Sequence, residues 1–341
     1  NISQLNPNYP GQLGRGRLNL EAAVKSVQAI LKNKTERLLI APAAGLSSQV
    51  KITDQDGLLD KEFSAFPVGF KGGLSLAAGD LNNDGQPEIM VVPGAGGGPH
   101  LKIFNVTGRL VGQFFVFDKN FRGGVNLAVA DINHDGNDEI IAAQAAGGNS
   151  EIKIFNGRGQ LLGSFYAYDS KFRGGLNLAT GDVDGDGQDE IITGLGAGKI
   201  PEVRIFKNSG VLQKQFLAYP KTFLGGVRLA VVKSESGPGR NQAQIVTAPG
   251  AGGGPHLKFF SDQGNLLSHF FAFGSNFRGG VSLAKADVDN DGFDEIIAAA
   301  GAGGAPHVRV FKANGRIVGS FYAYAENFSG GVKVGSLTIL K

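Results

Sequence analysis

The chain has 341 residues, 42% of them hydrophobic, enough for one large domain or two ordinary ones with real cores. Its formal charge of +3 comes from scattered Lys and Arg, which argues against a nucleic-acid binder, and no apolar run reaches the roughly 18 residues of a membrane span. Cys is absent, so disulfides and thiolate metal sites are excluded; 54 Gly without a Gly-X-Y period exclude collagen and imply a β-rich fold with glycine-rich turns.

Residues 1–35 differ from everything after them. Leu20, Ala23, Val24, Val27, Ile30 and Leu31 fall at helical spacing behind Asn19 as N-cap, with Lys32 and Lys34 at the negative end of the dipole, so one amphipathic helix is predicted. The approach, Asn6-Pro7-Asn8-Tyr9-Pro10-Gly11 and then Gly14-Arg15-Gly16-Arg17-Leu18-Asn19, resembles the end of a subtilisin-like serine protease domain, where a Gly-x-Gly-x-aliphatic-Asn segment enters the last helix. The resemblance implies a protease body upstream of Asn1, and the first residue not being Met points to a fragment. No Asp, His or Ser motif of that family's triad occurs here, so no catalytic residue is carried over. An unrelated helix leading into the main domain accounts for the same residues.

From residue 36 onward the chain repeats. Gly-Gly pairs begin at Gly72, Gly123, Gly174, Gly225, Gly279 and Gly330, with spacings of 51, 51, 51, 54 and 51 residues. Such a period, with short apolar segments between turn signals, predicts a propeller or solenoid. In the second copy, strands are expected at 125–130, 139–144, 151–155 and 161–168, and four antiparallel strands describe one propeller blade. The ends complement each other. Residues 38–41, 49–53 and 58–66 match a second, third and fourth strand, and 332–340 match a first. The expectation is an all-β, six-bladed propeller closed by a composite blade, which leaves no open edge.

Within each repeat an acidic loop stands out. Asp182, Asp184, Asp186 and Glu190 occupy positions one, three, five and nine, with Gly187 at six, which is the oxygen-rich spacing that suits Ca²⁺. The pattern returns at Asp80, Asn82, Asp84 and Glu88, at Asp131, Asn133, Asp135 and Glu139, and at Asp287, Asp289, Asp291 and Glu295. Backbone carbonyls at position seven, from Gln86, Asn137, Gln188 and Phe293, should complete four sites. Loops with Asp at position three carry more charge, so those starting at Asp182 and Asp287 are expected to bind more tightly. Asp138, Asp189 and Asp294 at position eight are expected to face water or lie behind the ligands. In the fourth copy Lys233, Ser234, Glu235, Ser236, Gly237 and Pro238 replace the ligands, and no ion is expected there.

The unit is similar to the FG-GAP repeat of integrin α-subunits and the VCBS repeats of bacterial surface and secreted proteins. Phe121-Arg122-Gly123-Gly124 and Pro93-Gly94-Ala95-Gly96-Gly97-Gly98-Pro99 stand at the signature positions, beside the acidic loop. The resemblance covers about 36–341 and implies a secreted or cell-surface, calcium-stabilised adhesion or binding module. Lys71, Arg122, Arg173 and Arg278, with His100, His256 and His307, should gather on the face opposite the metals, where a glycan, polyanion or protein ligand could dock. A solvated rim and a packing role for the histidines remain open. Phe70, Phe121, Phe172, Phe223, Phe277 and Phe328 should wedge between blades. No acid/base pair breaks the repeat symmetry, so the chain is read as a non-catalytic monomer, with a polysaccharide-active propeller enzyme and a passive spacer as alternatives.

Overall fold

In this computed structural model, which describes residues 34–234 and 243–340, the repeats become blades. The second blade runs Val125–Ala130, Glu139–Gln144, Glu151–Phe155 and Leu161–Tyr166, each strand antiparallel to the next. Its burial explains its sequence. The second strand, Glu-Ile-Ile-Ala-Ala-Gln, is buried along almost its whole length because neighbouring blades cover both faces. The fourth strand alternates exposed and half-buried residues, and Tyr166 at the rim is 54% exposed. That strand stops short of the expected residue 168. Tyr168 instead turns inward, its hydroxyl donating 3.2 Å to the carbonyl of Thr193 in the next blade.

Among the described residues there are six four-stranded sheets. In the closing blade, Val332–Leu340 runs antiparallel to Lys34–Pro42, from Lys34 opposite Leu340 to Pro42 opposite Val332. Gln49–Thr53 and Leu59–Ser64 complete it, so the two ends meet as expected. The predicted helix and protease-like segment lie outside the described residues, apart from Lys34 and Thr35, which are already strand. In the fourth blade Lys233 ends the first strand, and 235–238 lie outside the described residues.

The apolar core sits between blades. Between the first and second, Met90, Val92, Leu101 and Phe117 pack against Val125, Leu127, Ile140 and Phe155. Phe172 is buried in such a seam and Phe70 and Phe223 pack against one, while Phe121 meets Phe117 edge-on at 6.4 Å. The glycine pair that follows has a steric cause. A Cβ on Gly123 would stand 1.9 Å from the Ala146 carbonyl oxygen, and Gly124 has φ +84°.

Candidate metal centre and ligand face

The four acidic loops lie on one face, between the first and second strands of their blades. Their internal bonding repeats. The position-six amide of Gly85, Gly136, Gly187 and Gly292 donates to the first Asp at 2.8, 3.0, 3.0 and 3.0 Å. The position-seven amides of Gln86, Asn137, Gln188 and Phe293 donate to the position-five carboxylates of Asp84, Asp135, Asp186 and Asp291 at 2.8 to 2.9 Å. Asn83, His134, Gly185 and Asn290 at position four all take positive φ, which Asn and Gly tolerate best.

The ninth-position glutamate anchors each loop. Glu88, Glu139, Glu190 and Glu295 are buried, and one oxygen of each accepts from the amide of Leu81, Ile132, Val183 or Val288 at 2.8 to 3.2 Å. The other oxygen meets an Asn amide in the first two loops and a Lys ammonium in the other two. Burial pushes all four carboxyls up, Glu139 to about 7 with Asp135 adding repulsion. A buried acid set of this kind needs positive charge beside it.

Two loops receive that charge from within the chain. Lys207 Nζ lies 3.0, 2.7 and 2.7 Å from Asp184, Asp186 and Glu190. Lys312 Nζ lies 2.7, 2.7 and 2.6 Å from Asp289, Asp291 and Glu295. Burial alone would lower both ammonium pKa values, but the carboxylates hold them above the ordinary lysine range. In the first two loops an amide stands there instead: Asn82 and Asn133 Nδ2 donate to the glutamates at 3.1 and 2.9 Å. The difference begins after the third strand. Asn105 and Asn156 cap their own hairpins by accepting the amides of Arg109 and Gln160, at 2.9 and 3.0 Å, while Lys207 and Lys312 at the same position reach back to the acids.

This donor set fits a hard cation. Asp182, Asp184 and Glu190, and likewise Asp287, Asp289 and Asp291, bring carboxylate oxygens within 4.8 Å of one another, a grouping that could hold a metal ion. Lys207 shares Asp184 and Glu190 with the first grouping, and Lys312 shares Asp289 and Asp291 with the second. In the first two loops Asn82 and Asn133 Oδ1 accept from the amides of Asp84 and Asp135 at 2.9 and 2.8 Å, so an ion held by Asp80, Asn82, Asp84 and Glu88, or by Asp131, Asn133, Asp135 and Glu139, would require the Asn side chain to turn and release that bond. Ca²⁺ there would supply the charge the buried glutamate lacks.

Two of the three position-eight acids bridge blades. Asp138 Oδ2 accepts from the amide of Asp80 at 2.8 Å and Asp294 Oδ2 from that of Lys233 at 2.7 Å, each in the preceding blade. Sequence reasoning put them behind the ligands or in water and missed this link, which only the ring arrangement creates.

Residues 80–142 match the FG-GAP-like repeat family. That FG-GAP-like stretch contains the first two acidic loops and the glycine pair between them. No curated protein sequence matches the chain. Among solved structures, BBS1N in complex with ARL6DN is 12% identical with a TM-score of 0.49, covering 92% of this chain and 90% of that one. A functionally unknown protein from Desulfotomaculum acetoxidans is 10% identical at 0.49, covering 87% and 98%. The exotype rhamnogalacturonan lyase YesX is 15% identical at 0.41, covering 84% and 54%.

The opposite face of the propeller carries the Arg and His sets. Arg122, Arg173 and Arg278 are exposed, and each spends one Nη1 on its own turn, donating to the carbonyls of Phe121, Phe172 and Phe277 at 2.9, 3.0 and 2.8 Å. Their other nitrogens make no hydrogen bond among the described residues. The histidines lie opposite aromatic residues of the fourth strand: His100 stacks on Phe115 at 4.7 Å, His256 on Phe271 at 4.6 Å, and His307 meets Tyr322 at 4.8 Å. Burial lowers the pKa of all three. His100 and Arg122 come together with Phe66, Phe70 and Phe115 around an open groove of about 440 Å³. Lys71 is exposed and does not line that groove.

Proposed function

We propose that this propeller is a calcium-stabilised recognition module of an exported bacterial protein. It binds an acidic glycan, or another polyanion or protein, through the face remote from the acidic loops. The observation that carries this reading is the contrast between faces: repeated acidic loops on one, and on the other a groove lined by aromatic rings, a histidine and a guanidinium. Aromatic rings suit sugar faces, and arginine suits carboxylate or sulfate. Calcium at such loops is an extracellular device, with module affinities of about 10⁻⁴ to 10⁻³ M, which agrees with a secreted or surface location. The chain works by binding rather than catalysis, as a monomer, and following a subtilisin-like protease it would be that enzyme's targeting domain.

The test is a screen of the chain against glycans, polyanions and denatured proteins in millimolar Ca²⁺ and again in chelator. Calcium-dependent binding to one class, reduced at least tenfold by Arg122→Ala or Phe115→Ala, is expected. Silence from a folded sample in both conditions would favour a passive spacer.

A further inference from the structure

The second residue of each innermost strand lines the central channel. Around the ring these are Ser75, Asn126, Asn177, Arg228, Ser282 and Lys333. Four are small and neutral, two are cationic, and among the described residues no carboxylate lines this part of the channel. The cations are poorly compensated. Arg228 Nη1 donates to Asn177 Oδ1, which also accepts from Asn126 Nδ2 at 3.4 Å, so one neutral oxygen serves two donors. Lys333 Nζ, with three N–H groups to place, makes no hydrogen bond or ion pair among the described residues. Two like charges in a narrow, half-buried channel oppose each other and lose hydration.

The space around them is suited to a guest. The channel floor offers about 80 Å³, room for roughly two waters or one small oxyanion. Above it the channel widens to a bowl of about 410 Å³ on the face away from the acidic loops. Its wall is built from the glycine turns, including Gly94, Gly124, Gly175 and Ala197, whose lack of bulk keeps the mouth open. Arg228 and Lys333 lie where bowl and floor meet, lining both.

We propose that Arg228 and Lys333 form a binding site for a single oxyanion group, a carboxylate, sulfate or phosphate, at the floor of the central channel. Asn177, Ser75 and Ser282 supply neutral hydrogen-bond donors around it, while Asn126 Nδ2 is held by the Leu176 carbonyl and Asn177. The group is either a free oxyanion or the anionic terminus of a glycan entering through the bowl. This site is separate from the outer groove at Arg122 and stands whether or not that groove binds.

The experiment is calorimetric titration and thermal melting of the chain at pH 6 and fixed ionic strength, with sulfate, phosphate, galacturonate and oligogalacturonate as probes and neutral galactose as control. Saturable binding of an anionic probe, without a response to galactose, is expected. Lys333→Met and Arg228→Met should each weaken it at least tenfold while melting higher than the parent without anion, because each relieves the repulsion. Ser282→Asp, which tethers a carboxylate between the two cations, should also abolish the response and raise the melt, and it covers the case in which a methionine variant fails to fold. Equal affinity for sulfate and galacturonate identifies a free oxyanion. A tenfold preference for the oligomer identifies a glycan terminus. No saturable response to any probe overturns the site. So does binding that survives in Lys333→Met and Ser282→Asp, and loss in Arg122→Ala alone would move the anion to the outer groove.

Discussion

Lys312 Nζ lies 2.6 Å from the carboxylate of Glu295, and both side chains are almost wholly buried, at 3% and 0% exposure. Buried pairs of this kind are costly to break from one side. In chelator, Lys312→Met should destabilise the protein by about 3–5 kcal/mol, since Glu295, Asp289 and Asp291 lose the one cation that pairs with them among the described residues. Millimolar Ca²⁺ should then recover much of the loss, because the vacated position suits a divalent ion. The comparison is of melting curves with and without calcium: the variant should respond more strongly than the parent. Equal responses would mean that the ammonium is not standing in for an ion. On the same argument, the Asn-containing loops at Asp80 and Asp131 are expected to take up Ca²⁺ more readily than the charge-based ranking has it, and calcium titration of the parent checks this.

The blade count, the strand order and the closing blade were legible in the sequence because the glycine pairs repeat on a fixed period and the two ends carry complementary fractions of one unit. The acidic loops were legible too, since their spacing is local. What could not be read was anything that depends on a residue from another strand or blade. Lys207 and Lys312 are distant in sequence from the acids they meet, although one signal was present: both loops with Asp at position three have Lys after the third strand, and both with Asn have Asn there. Asp138 and Asp294 bridge blades, and Arg228 and Lys333 meet only when the ring closes. The repeat made the symmetric features visible and hid the residues that break it.

Lys333 gives the fold a pH dependence with a definite sign. The Arg228 charge, with burial second, pushes its pKa down from 10.5 to about 7. Arg228 is the one other charged group lining this part of the channel. Between about pH 7 and 10.5 the unfolded chain therefore holds a proton that the folded chain does not, and stability rises with pH across that window. The slope contributed is at most about 1.4 kcal/mol per pH unit. Denaturant melts at pH 7 and 9 should show the parent gaining stability relative to Lys333→Met; parallel behaviour would place the lysine outside the channel's field.

Repeated aromatics divide by position along the blade. Phe172 is buried in the seam between the second and third blades, so Phe172→Ala should cost about 3–5 kcal/mol. Tyr166, six residues earlier at the outer rim, should tolerate Ser within about 0.5 kcal/mol. Chemical denaturation of the two variants checks this, and similar losses in both would mean that the rim is covered in solution.

Ring closure should make the propeller unfold as one body. Leu337, from the last strand, packs in one cluster with Leu39 near the other end of the chain and with Leu76 and Ile89 of the first blade. Leu337→Ala removes buried volume at the seam where both termini and a neighbouring blade meet, at a cost of about 2–5 kcal/mol. If the ring is cooperative, the whole transition shifts, because opening this seam exposes edges on both sides and leaves no blade with two neighbours at the break. Calorimetry should therefore show a single transition at lower temperature. A split trace, with the closing blade melting first and the other five unmoved, would mean that the blades are stabilised pair by pair, as in an open solenoid.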